Sequence, residues 1–268
     1  MILEMGLYLI LGAMVGILAG LLGVGGGLVI VPVLAAIFLW LDLPHAFIMH
    51  LALGTSLASI LFTSVASVYS HHQHGAVNWS RAIKLTPGII IGAWFGGVFA
   101  GVLSSDILKP LFATFELLVA AYMLKGSKAP KAHVQHNTHP SLINFSSSGG
   151  VIGFISSIVG IGGGSLTVPW LMWHGSSIHK AIATSAAVGF PIALGGTLSY
   201  LYSGWNHPLL PQYSAGFIYL PALSGIVLSS VFFAPLGANL AHKLDVKKLK
   251  RVFAFLLIGL AGYLFAGN

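Results

Sequence analysis

Cysteine is absent from the 268-residue chain, and charge is scarce: 12 Lys and Arg and five Asp and Glu make up 6% of the residues. Without thiols there is no disulfide scaffold, zinc-thiolate centre, iron-sulfur cluster or cysteine nucleophile. A soluble domain carries about a quarter charged residues, so 6% cannot furnish a water-facing surface. With 56% hydrophobic residues and a mean hydropathy of +0.92, the chain reads as an integral membrane protein whose solvent is the lipid bilayer. The net charge of +7 would suit nucleic acid. The basic residues, however, fall in short runs between apolar stretches, which is a topology pattern and excludes nucleic acid as the expected partner. Met1 to Met5 carries Glu4 and no positive charge, and it does not read as a removable signal peptide.

Long apolar runs are what the sequence does have. Two shortish pieces, 6–22 and 28–41, flank Gly23-Val-Gly25-Gly26-Gly27 and precede long runs at 46–70, 82–103 and 107–124. A polar stretch, Lys125 to Asn144, follows. Then two short pieces, 145–160 and 165–173, flank Gly160-Ile-Gly162-Gly163-Gly164 ahead of long runs at 179–203, 213–241 and 252–267. The same order occurs twice. Gly23 to Pro32 matches Gly160 to Pro169, His50-x4-Thr55-Ser56 matches His179-x4-Thr184-Ser185, and Leu108-Lys109 to Ala113 matches Leu249-Lys250 to Ala254. Three matches in one order indicate an internal repeat. The expected fold is therefore all-α and polytopic, with membrane repeats at 1–124 and 145–268 joined by a linker loop at 125–144. Each repeat is read as a glycine-broken helical hairpin followed by three spanning helices.

Basic residues set the direction. Lys125, Lys128 and Lys131 place the linker in the cytoplasm, and Lys243, Lys247, Lys248, Lys250 and Arg251 place the last loop there. The loop 204–212 and the carboxyl end carry neither Lys nor Arg and read as external. Counting back, 82–103 begins inside beside Arg81 and Lys84, and the amino terminus is external. The first repeat begins outside and the second inside, so the topology is inverted with both termini external.

Inverted repeats with broken helices suit secondary transporters, whose site lies at the midplane between the halves. A helix that begins inside the bilayer leaves its first N–H groups unpaired, and hydrocarbon offers no acceptor. An anion would serve. Successive glycines form a nest of donors with no Cβ in the way. Two helix starts contribute roughly +1 charge together without a buried cation. Gly25, Gly26, Gly27, Gly162, Gly163, Gly164 and Ser165 are therefore expected to bind a small anionic substrate, with Thr55, Ser56, Thr184 and Ser185 supplementing the N–H groups. Gly12, Gly16, Gly20, Gly92 and Gly96, spaced by four, read instead as close helix packing.

The paired Gly-x-Gly-Gly-Gly-x3-Val-Pro segments, the two His-x4-Thr-Ser starts and the two-fold layout resemble the sulfite exporter TauE/SafE family of membrane transporters. The resemblance covers essentially the whole chain. It implies movement of sulfite, thiosulfate, organosulfonates or similar anions across a bacterial-type plasma (inner) membrane, and it leaves substrate, direction and oligomeric state open.

Glu116 is the one acid in the middle of a spanning run, at a cost of about 3 kcal/mol on insertion scales. It is a candidate carrier of a coupling proton, the alternative being a structural hydrogen bond to a neighbouring helix. The competing class is metal-ion transport through the His-rich loops, His71-His72-Gln-His74 and His133, His136 and His139. The glycines lack the strand and acidic partner of a nucleotide fingerprint, no nucleophile arrangement is evident, and neither an enzyme nor a cofactor is expected.

Overall fold

The computed structural model describes residues 2–23, 25–125, 142–205, 207–241 and 246–266. Lys128, Lys131, His133, His136, His139 and Lys243 lie outside the described residues. Apolar runs that must pair every backbone group within the segment become helices. These are α1 (Ile2–Leu22), α2 (Gly27–Trp40), α3 (Ile48–Gln73), α4 (Trp79–Val102), α5 (Ser105–Leu124), α6 (Leu142–Ile158), α7 (Gly164–Trp173), α8 (Ile178–Ser203), α9 (Leu220–Ala241) and α10 (Val246–Ala266). Six of them are long and apolar enough to cross a membrane: α1, α3, α4, α5, α8 and α9. The fold is all-α and polytopic, as its composition requires.

Two features differ from the hydropathy reading. Helix α1 has 21 residues, enough for about 30 Å, so it is no short piece. The run from 213 does not enter α9 directly. A small antiparallel hairpin precedes that helix, β1 (Ser214–Ala215) with β2 (Ile218–Tyr219), pairing Ser214 with Tyr219 and Ala215 with Ile218. Gly216 turns it at φ 54°.

Helices α3 and α8 form the centre. Some 72% and 78% of their most apolar windows are buried, against 33 to 44% in the other four spanning helices. They run antiparallel: a methyl group at Gly54 of α3 would lie 3.2 Å from Tyr200 Cβ near the end of α8. Further along α3, and further back along α8, a methyl at Gly189 would lie 3.6 Å from Ser64 Cβ. Around this pair α1 lies along α9 and α6 along α4, both parallel, through glycines that admit the neighbouring backbone. A methyl at Gly16 would sit 2.9 Å from Ser230 Cα, and one at Gly92 or Gly96 would sit 2.9 Å from Gly150 Cα or Phe154 Cα. The four-spaced glycines are packing residues. Helix α5 packs on α10, α2 on α3, and α7 on α8. Exchanging the first five helices for the last five maps each of these pairings onto another or onto itself.

The lipid-facing shell carries side chains such as Ile83, Phe95, Phe232 and Phe255, each more than half exposed. The interior is where the hydroxyls are: Thr55, Ser56, Ser59, Thr63, Ser64, Ser67 and Ser70 of α3 are all buried.

Candidate functional site

Helices α2 and α7 start in the same way. The preceding Gly26 and Gly163 adopt left-handed φ angles of 78° and 75°, a conformation that costs a residue with a Cβ about 1–2 kcal/mol. Each offers its carbonyl to the first turn. The N–H groups of Val29 and Ile30 donate to Gly26 O at 3.0 and 3.1 Å, and those of Leu166 and Thr167 to Gly163 O at 3.0 and 2.6 Å. No acceptor among the described residues meets the N–H groups of Gly25, Gly26, Gly27 and Leu28, or of Gly162, Gly163, Gly164 and Ser165. The two breaks meet: a methyl at Gly25 would sit 2.9 Å from Gly162 Cα, and one at Gly27 would sit 2.8 Å from Ile161 Cα. Seven of the expected site residues, the six glycines and Ser165, are thus gathered at the contact between two helix starts. The Ser165 hydroxyl itself is buried without a partner among the described residues.

The four hydroxyls of α3 and α8 reach across to the opposite half in matched pairs. Ser56 Oγ donates to Gly160 O at 2.8 Å, and Ser185 Oγ donates to Gly23 O at 3.1 Å and to Ile182 O at 2.8 Å. Thr55 Oγ1 accepts from the Tyr219 N–H at 2.9 Å, beside the start of α9, and Thr184 Oγ1 accepts from the Asn78 N–H at 3.0 Å, beside the start of α4. All four are buried. In this state each hydroxyl is engaged with backbone, the serines fixing the breaks and the threonines fixing helix starts. Direct contact with a ligand would require those bonds to open. Their partners lie 104 to 164 residues away, a separation at which local pattern carries no sign of them.

Beside the meeting breaks is a cavity of about 10 Å³, lined by Ala19, Gly23, Gly25, Ser64, Ser67, Gly162, Ala186 and Gly189. That is the room of about one water molecule. Ser64 and Ser67 were not singled out from the sequence, because only the convergence of the two breaks makes this space.

Residues 8–264 match the sequence profile of the family described as Sulfite exporter TauE/SafE. The chain belongs to the TauE/SafE family. It is 41% identical over 257 residues to a protein of Haemophilus influenzae named a probable membrane transporter protein, covering 95% of this chain and 96% of that one. Similarly named proteins of Methanocaldococcus jannaschii and Bacillus subtilis are 29% and 30% identical over at least 94% of both chains. No solved structure matches. The TauE/SafE protein is an integral membrane protein of a transporter family.

Two further sequence candidates have defined places in this TauE/SafE protein. Glu116 is fully buried on the inward face of α5, and neither carboxyl oxygen has a hydrogen-bond partner among the described residues. Its counterpart in the second half, Leu257, is equally buried. His71 and His72 belong to the last turn of α3 and not to a loop, because the helix runs on to Gln73, and His74 caps it. The three engage separate partners: His71 Nε2 lies 3.2 Å from Gly20 O, His72 Nδ1 accepts from Trp79 Nε1 at 3.2 Å, and His74 Nδ1 lies 2.8 Å from Ser70 O. No group of three metal-ligating side chains comes together among the described residues.

Proposed function

We propose that this TauE/SafE protein is a secondary transporter of a small sulfur oxyanion or organosulfonate, sulfite and thiosulfate being the type. It works by alternating access between inverted repeats at 1–124 and 145–268, linked through a cytoplasmic loop at 125–144. Both termini face outward from a bacterial-type plasma membrane. The observation that carries this reading is the contact of two glycine-capped helix starts, whose first N–H donors meet no acceptor among the described residues, beside a small cavity.

Donors without acceptors inside hydrocarbon are unfavourable by a few kcal/mol, and an oxyanion resolves that cost with several acceptor atoms at once. Two helix starts supply roughly one unit of positive charge, which matches a small anion and repels a metal cation. The inverted arrangement is supported by the antiparallel run of α3 and α8, which occupy the same place in the two halves. An axis along the membrane normal would leave them parallel. A cavity the size of one water has no room for an anion of four or more heavy atoms, so the state described is closed. Access requires the breaks, or α3 and α8, to part.

Purified protein in detergent should gain thermal stability on addition of sulfite, thiosulfate or methanesulfonate and none with zinc or nickel. At a hundred times Kd, binding shifts the unfolding free energy by about 2.7 kcal/mol, well within reach of a melting measurement. Stabilisation by the metals alone would sink the reading. The same panel in proteoliposomes selects the transported anion.

A further inference from the structure

We propose that Ser67, supported by Ser64, is a substrate-contacting residue, donating a hydrogen bond to an oxyanion held at the paired breaks and making the site one-sided. This rests on the anion-transporter reading above and adds a side-chain determinant that the repeated motif does not contain.

A serine inside an apolar helix ordinarily bonds back to its own backbone. Helix α3 follows that habit along its buried stripe. Ser59 Oγ donates to Thr55 O at 2.8 Å, Thr63 Oγ1 to Ser59 O at 2.9 Å, and Ser64 Oγ to Leu61 O at 3.1 Å. Thr63 also meets Ser230 Oγ at 3.0 Å, and Ser70 donates to Asn239 Oδ1 at 3.5 Å. Ser67 departs from this pattern. It is 2% exposed, and it lines the cavity with Gly25 and Gly162; among the described residues neither its hydroxyl nor the N–H groups of those two glycines has a partner. A buried hydroxyl without a partner is destabilising by itself. Its placement beside backbone donors that share the same deficit points to one acceptor serving all of them. An oxyanion has the oxygen atoms for that, and a cation has none.

The motif does not predict this feature because the halves differ here. The positions of α8 that correspond to Ser64 and Ser67 are Ala193 and Gly196. Only α3 offers hydroxyls to the space, so the backbone nest is two-fold and its side-chain lining is not. Ser67 lies in the half of α3 that leads to His71 and on towards Arg81. Under the proposed orientation that is the cytoplasmic side of the breaks, so the hydroxyls would meet the anion on its inward leg.

The test is anion binding to full-length protein in detergent, measured by titration with sulfite, thiosulfate and methanesulfonate, for wild type, Ser67→Ala and Ser59→Ala. Ser67→Ala should weaken binding by about tenfold, the scale of one hydrogen bond to a charged partner, and Ser59→Ala should leave it unchanged. The melting temperature of the anion-free protein is the second measurement. Ser67→Ala should hold or raise it, since its hydroxyl bonds nothing among the described residues, whereas Ser185→Ala should lower it. Equal binding by Ser67→Ala and wild type overturns the role of Ser67 while leaving the anion site standing. A melting temperature lowered by Ser67→Ala as much as by Ser185→Ala assigns the hydroxyl to structure and also overturns it. Wild type that binds none of the three anions removes the parent reading, and this one with it.

Discussion

At the scale of single residues, the interior of this protein separates groups that are satisfied from groups that are not. The Thr and Ser of each His-x4-Thr-Ser segment are satisfied by backbone of the opposite half, and the glycine N–H groups at the breaks meet no acceptor among the described residues. Glu116 belongs with the second set. A carboxyl in the middle of a spanning helix costs about 3 kcal/mol, and no donor or cation among the described residues offsets it. The hydrogen bond to a neighbouring helix that would give it a structural role finds no partner there. Replacement by the residue its counterpart uses, Glu116→Leu, should therefore stabilise the protein by about 1–3 kcal/mol, read as a raised melting temperature in detergent. If the carboxyl carries a proton coupled to anion movement, the isosteric Glu116→Gln should abolish the dependence of uptake on a pH gradient while anion exchange persists. A stable Glu116→Gln protein that still accumulates anion down a pH gradient is incompatible with an obligatory proton carrier at this position.

Among the elements, the sequence was informative wherever one dimension suffices. Hydropathy and glycine spacing placed the helix starts at Leu28 and Ser165, one residue from the observed Gly27 and Gly164, because a break in a membrane helix needs residues that tolerate left-handed φ. The hairpin at 214–219 escaped notice because Phe217, Ile218 and Tyr219 continue the apolar composition of α9, leaving Gly216 as the only mark of a turn. The partners of the four hydroxyls and the cavity escaped it too, since both depend on segments brought together from opposite halves. The elements also separate two uses of glycine. Gly16 admits the backbone of α9, and a valine there would drive Cβ to 2.9 Å from Ser230 Cα, so Gly16→Val should reduce the yield of folded protein. Gly26 and Gly163 instead set the direction of the N–H groups that follow them. A Cβ at Gly26 would press on Val15 Cγ1, a branched side chain, whereas one at Gly163 would press on Ile192 Cδ1, the movable end of a side chain. Gly163→Ala is therefore the milder change, adding about 1–2 kcal/mol of left-handed strain and turning the donors away from the ligand. That variant should insert and purify, yet transport at least about tenfold more slowly, the loss of one hydrogen bond to a charged group. Normal transport by it would move the site elsewhere.

For the whole molecule, the length of α8 and the placing of its flanking charges support the proposed orientation. Helix α8 has 26 residues and spans about 39 Å, more than the roughly 30 Å of hydrocarbon, so its ends lie on opposite sides of the bilayer. At its start Arg81 Nη1 donates to Ser176 Oγ at 2.6 Å, bringing the basic start of α4 to the same end of the bundle as Lys180. Its far end leads into the loop 204–212, which carries no Lys or Arg. Basic residues favour the cytoplasmic side, which under the proposed orientation puts the start of α8 inside and the loop with Leu209 outside. The same assignment makes the hairpin at 214–219 an external cover over the start of α3, where Phe217 stacks on Phe47 at 5.8 Å, and it leaves Ser67 on the inward side of the breaks. Because the chain lacks cysteine, Ser177→Cys and Leu209→Cys each create a single thiol, on an exposed N-cap without a side-chain bond and on an exposed loop residue. In intact cells a membrane-impermeant maleimide should label Leu209→Cys at once and reach Ser177→Cys only after the membrane is opened. The reverse pattern would invert the whole assignment, Ser67 included. Labelling of both from outside would mean that α8 does not cross, and the inverted repeat would then lose its central helix.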